Sequence, residues 1–231
     1  MFFDPNYILF VMLPTLIISG LAQAAVRGAY QKWGNIRNSQ GVNGQQTAQL
    51  LIRSGNVQPV GLEVTGGQLT DHYDPGKGVV RMSQGVAMQP SVASMAVAAH
   101  ELGHVQQHQQ SSALMSLRSM LVPSAQFGPS IGILLIILGL MFNATGLATI
   151  GLVLFAGAAL FTIVTLPVEL DASRRAMKML EQTGLLATEQ DRDGAKAVLR
   201  AAAFTYVAAV ATSILTLLYY AMLVFGGRNR D

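Results

Sequence analysis

Four stretches of the chain run almost without charge for the length of a membrane crossing. Residues 7–25 are the first, interrupted only by Pro14, Gln23 and a few small polar residues. At about 1.5 Å per helical residue, roughly 20 such residues cross about 30 Å of hydrocarbon. Ala22-Gln23-Ala24 has the form of a signal-peptide cleavage site. However, Asp4 precedes this run and Arg27, Lys32 and Arg37 follow it, the reverse of a signal peptide's charge order, so the pattern predicts a retained anchor. From Arg118 to Glu169 no Asp, Glu, Lys or Arg occurs between the two ends. That interval is too long for one helix. It breaks at the turn-prone Asn143-Ala144-Thr145-Gly146, which predicts a tight transmembrane hairpin of helices 127–142 and 147–167. A last span, 201–225, lies between Arg200 and the pair Arg228 and Arg230.

The pattern changes in between. Gln45 to Ile52 has helical character, and Val60 to Val64 and Gly78 to Met82 are short β-prone runs around the turn-rich segment from Asp71 to Gly76. Ser91 is placed to cap an alanine-rich helix that runs through His100 and is expected to continue beyond Leu114. The expectation is a mainly α membrane protein of about four transmembrane helices, with a small α+β part built from 27–125 and 168–200 and containing a short β-hairpin or sheet. There is no internal repeat, and the whole chain reads as a single domain.

Composition supports a bilayer partner. Charged residues are 12%, against about 25% in soluble domains, hydrophobic residues are 51%, and the mean hydropathy is +0.41. The net charge of +3 forms no dense basic stripe, which argues against nucleic-acid binding. With no cysteine in the chain, disulfides and thiolate ligands are excluded, and any metal must be held by His, Asp or Glu. Two crossings separate 27–125 from 168–200, so both segments face the same side. Arg27, Lys32, Arg37, Arg174, Arg175, Lys178, Arg192, Lys196 and Arg200 place that side in the cytoplasm, and Arg228 and Arg230 pull weakly the other way.

One short segment carries chemistry: His100-Glu101-Leu102-Gly103-His104. On a helix, histidines four apart share a face, and both imidazoles converge on one Zn²⁺ at about 2.0–2.1 Å. Glu101 lies about 100° round the helix, beside the open metal position, where it can take a proton from water. A chance match of this pattern is expected in on the order of one such chain in a hundred. Moreover, three of the four histidines fall between 100 and 108, in a run free of Pro. A hydrolytic zinc site needs a third protein ligand and an open fourth place. His108 lies roughly 12 Å along the helix from His100, too far to share an ion. Glu169, on the same predicted face of the membrane and ending a long apolar run, is the better candidate, because an unpaired charge there is costly. Its alternative role is an ion pair with Arg174 or Arg175. Asp171 suits a partner that orients a ligating histidine. Such ligands also suit Fe, Co or Mn.

These residues resemble a known family. Asp71-His72-Tyr73-Asp74-Pro75, Val79-Val80-Arg81-Met82-Ser83, the run from Ser91 to Gln106, Leu166 to Ser173 and Leu199 to Ala209 occur in the order found in bacterial neutral zinc metallopeptidases, the YugP-like membrane proteases. More distantly the chain is similar to HtpX-type and CAAX prenyl proteases, which carry an aspartate four positions after the ligand glutamate, whereas Asp171 follows Glu169 by two. The resemblance implies a gluzincin in the bacterial inner membrane. In it His100, His104 and Glu169 hold one zinc ion, Glu101 is the general base, and the substrates are membrane-associated polypeptides. It further implies that Val79, Val80, Arg81, Met82 and Ser83 form an edge strand that pairs with the substrate backbone. His72 or Tyr73 would either offer a hydrogen bond to an oxyanion or belong to a purely structural hairpin. Two other functions fit the same residues: a membrane scaffold whose structural zinc is closed by a fourth ligand such as His72, and an enzyme acting on another amide or on a lipidated peptide.

Overall fold

The computed structural model describes residues 4–226, so Arg228 and Arg230 lie outside the described residues. The protein is a mainly α membrane protein with one small sheet. Among the described residues, four helices are long and apolar enough to cross a membrane: α1 (Pro5–Gly34), α5 (Ala113–Met141), α6 (Thr145–Gln182) and α7 (Glu189–Gly226). The chain divides into two compact units. An apolar one comprises the described parts of 1–22, 116–167 and 205–231, and a polar one comprises 23–115 and 168–204.

In the apolar unit the expected hairpin is present. α5 ends in a turn with Asn143 at φ +53°, where the Ala144 N–H bonds the Gly139 carbonyl, and α6 starts at Thr145. Glycine lets the two backbones touch. A Cβ on Gly139 would overlap the Ala148 nitrogen, and one on Gly151 would lie 2.5 Å from the Gly132 carbonyl oxygen. Lipid tails are as apolar as leucine, so close packing of small residues, rather than hydrophobic exclusion, holds such a hairpin together. Tyr219 and Tyr220 stack near Tyr7, and the Tyr219 hydroxyl donates to Asp4.

In the polar unit, Asn43 and Gln46 form a reciprocal cap at the start of α2 (Gly44–Arg53), satisfying two otherwise free backbone donors. Three strands follow, β1 (Gly61–Thr65), β2 (His72–Asp74) and β3 (Val79–Ser83), and then the short α3 (Gln84–Met88). Ser91 caps α4 (Val92–Gln109) through the Ser94 N–H, as its position in the sequence implies. Leu51, Val80, Met82, Met95, Leu102 and Met179 form the centre of the core, so α2, β3, α4 and α6 all bury one face in it.

The fold departs from expectation at two places. β3 is not an edge strand: the sheet order is β1-β3-β2, with β1 parallel to β3 from Gly61↔Val79 to Thr65↔Ser83 and β2 antiparallel to it from His72↔Arg81 to Asp74↔Val79. The strand Val79, Val80, Arg81, Met82 and Ser83 is therefore paired along its whole length by β1, and from Val79 to Arg81 by β2 as well. The Asp71 carboxylate takes the Ser83 N–H where β2 no longer reaches. The second departure concerns α4, which stops at Gln109 instead of passing Leu114. Ser111 adopts φ +52°, its N–H bonds the His108 carbonyl, and the Ser112 N–H bonds the Gln107 carbonyl. This left-handed C-terminal cap usually uses glycine, and a serine in its place carries no comparable stop signal. A new helix, α5, then begins at Ala113, earlier than the predicted 127.

Candidate metal centre

The centre is assembled from α4 and α6 within the polar unit. Helical spacing puts His100 and His104 on one face of α4, with ring centroids 4.8 Å apart. α6 brings Glu169 against them, with its Oε2 lying 3.2 Å from His100 Nε2 and 3.4 Å from His104 Nε2. These ligand atoms all lie within 4.8 Å of one another. For donors about 2.0–2.1 Å from a tetrahedral ion, the expected separation is about 3.3–3.4 Å. The residues therefore fit zinc in chemistry, and the two separations from Glu169 to the imidazoles fit it in spacing. Arg174 and Arg175 pair with Asp171, which leaves Glu169, only 3% exposed, to the histidines.

The approach of α6 depends on Gly103. A Cβ there would lie 2.5 Å from the Ala172 carbonyl oxygen, and Ala172 shares a helix face with Glu169. Gly103→Ala is expected to cost about 1–3 kcal/mol through overpacking and to weaken metal binding by displacing Glu169. Thermal unfolding and zinc titration on one preparation would check both effects.

The far nitrogens of both histidines are also held. Ser173 Oγ lies 3.3 Å from His100 Nδ1, and Gln107 Oε1 lies 3.0 Å from His104 Nδ1. Gln107, 1% exposed, donates in turn to the Val168 carbonyl and to Asp171 Oδ2, each at 2.9 Å. Asp171 therefore reaches His104 through Gln107 rather than directly. Gln107 and Ser173 were not among the residues expected from the sequence to serve the site. The available signal was their spacing, three residues after His104 and four after Glu169. Such partners fix the tautomer and direction of the imidazole, and losing one costs about 10–100-fold in metal affinity or activity. Gln107→Leu is expected to fall in that range when zinc affinity is measured by chelator competition.

Glu101 stands beside the cluster, 6% exposed, with no hydrogen bond to the described residues. Burial pushes its carboxyl above the ordinary range. The two histidines pull it back in part, while Glu169 and Asp71 push the same way as burial. Burial would lower the His104 pKa, but Glu169, Glu101 and Gln107 together outweigh it and the net shift is upward. Asp71, itself shifted up by burial, accepts from the Ser83 N–H at 2.6 Å and from the Ser83 hydroxyl.

Other candidates are not brought into the cluster. His72 is exposed, with Nδ1 2.8 Å from the Thr70 carbonyl and Nε2 toward Arg81. It is not among the converging ligand atoms. The Tyr73 hydroxyl lies 2.8 Å from His108 Nδ1, so this tyrosine and histidine occupy each other.

Comparison with known proteins agrees with this geometry. The family described as "Putative neutral zinc metallopeptidase" matches residues 8–225. The chain belongs to that family. It is also 35% identical over 223 residues to the Bacillus subtilis (strain 168) protein named "Putative membrane protease YugP", which covers 96% of this chain and 99% of that protein. No solved structure matches. The family match takes in nearly all of the four long helices as well as His100, Glu101, His104 and Glu169, so membership of that family and a candidate three-residue metal group coincide in one chain.

Proposed function

We propose that the protein is a membrane zinc endopeptidase of the gluzincin type, holding one catalytic ion through His100, His104 and Glu169. One observation carries this reading: ligand atoms of buried His104 and Glu169 and of half-buried His100 converge next to a buried carboxylate, Glu101, that has no hydrogen-bond partner among the described residues. A zinc ion held by His100, His104 and Glu169 would supply a Lewis acid for a peptide carbonyl and for water. Glu101 takes the proton from that water and passes it to the departing amine. Ser173 and Gln107 keep both imidazoles aimed at the ion while this happens. Burial raises the pKa of the Glu101 carboxyl and so favours its accepting a proton. The group of three ligands supports a catalytic site over a closed structural one, since a structural zinc takes four protein ligands. The substrates are membrane or membrane-proximal polypeptides, and the flanking basic residues favour the cytoplasmic face of the inner membrane for the site.

Removal of the metal tests this directly. Purified protein should contain about one equivalent of zinc and cleave an unfolded polypeptide such as casein. Phenanthroline should abolish cleavage, and stoichiometric zinc should restore it. Cleavage that persists in fully metal-free protein would overturn the proposal.

A further inference from the structure

Outside the metal centre, the polar unit contains a cavity of about 440 Å³ walled by Arg174, Arg175, Lys178 and Asp171 of α6 and by Gln106 and Gln110 of α4. Three cations face one carboxylate. That carboxylate is already shared: Asp171 accepts from Arg174 at 3.2 Å and from Arg175 at 2.6 Å, and its Oδ2 also accepts from Gln107. The Arg175 fork is further fixed by Gln106 Oε1 at 2.9 Å and Gln110 Oε1 at 2.6 Å, which leaves its position set before any ligand arrives. Gln106 is itself fixed by donating to the Asn56 carbonyl. Arg174 keeps 76% of its side chain exposed, and Lys178 has no ion-pair partner among the described residues. None of the three metal-ligand candidates lines this cavity.

We infer that this cavity is an anion site for a phosphoryl group, carried either by a soluble phosphorylated molecule or by a phospholipid headgroup. The excess of two positive charges matches the charge of about −1.5 to −2 on a phosphate monoester and also suits the single charge of a headgroup phosphodiester. With Nε and Nη1 of Arg175 held by Asp171, Gln106 and Gln110, its fixed Nη2 and the exposed Arg174 guanidinium remain to donate to phosphate oxygens. The volume lies in the range of about 300–1,000 Å³ typical of ligand pockets, too roomy for phosphate alone, and the Gln110 and Gln182 amides can meet the hydroxyls of an esterified group. A bare helix-surface ion-pair cluster would need neither the cavity nor the uncompensated Lys178.

The full chain in phosphatidylcholine nanodiscs provides the test. Inorganic phosphate, titrated at constant ionic strength, should bind saturably by calorimetry, and the Arg174→Ala/Lys178→Ala protein should bind at least tenfold more weakly. Lys178→Glu alone should weaken binding in the same direction. In parallel, nanodiscs doped with phosphatidylglycerol should be examined by native mass spectrometry for retained lipid. Saturation by inorganic phosphate assigns the site to a soluble ligand. Retention of phosphatidylglycerol without phosphate binding, lost in the double variant, assigns it to the headgroup. The inference is overturned if neither probe binds saturably, or if the double variant binds as the wild type does, as phosphate held at the metal centre would.

Discussion

Glu101→Gln is expected to lower peptide hydrolysis by about 10²–10⁴-fold, the usual contribution of a positioned general base, while the zinc content stays at one equivalent. The two results separate because Glu101 is not one of the three converging ligand atoms. Glutamine keeps the shape of the side chain but cannot accept the proton from water. Folding should not suffer. Burial raises the Glu101 pKa above its ordinary value of 4.5, so the ionised form is penalised in the fold once pH rises above that value. An amide removes the penalty, and the metal-free variant should unfold at the same temperature as the wild type or higher. Undiminished cleavage by a zinc-replete Glu101→Gln protein would refute the role given to this residue.

The second large effect is expected at Glu169. Glu169→Ala leaves two histidines to hold the ion, and zinc should be lost on dialysis against a weak chelator, with hydrolysis lost alongside it. The fall in affinity should exceed the roughly 10–100-fold expected for an outer partner such as Gln107. His108→Ala makes the contrast, because His108 faces Tyr73 and contributes no ligand atom to the group. That variant should keep its zinc. Retention of stoichiometric zinc by Glu169→Ala would remove Glu169 from the ligand set and revive its alternative as a simple interfacial carboxylate.

Much of the site is legible in the order of residues alone. Helical spacing puts His100 and His104 on one face, because that relation needs only local geometry. Glu169 follows from counting spans and from a carboxylate at the end of an apolar run, and the fold brings it within 3.4 Å of both imidazoles. The turn at Asn143 and the cap at Ser91 are readable because both residue types carry local hydrogen-bonding preferences.

What the sequence by itself determined is therefore the set of features fixed by spacing and by burial pattern: four long apolar helices, a helix with His100 and His104 on one face, and the carboxylate Glu169 at the end of an apolar run. Only the tertiary structure decided that β3 lies between β1 and β2, since strand order depends on pairings between segments and not on the residues of one strand. It also decided that Gln107 and Ser173 hold the histidines and that Asp171 acts through Gln107. Those contacts arise where Gly103 lets α4 meet the backbone at Ala172. Two helices distant in sequence must pack before such partners exist, and nothing in either segment alone encodes which side chains will then touch.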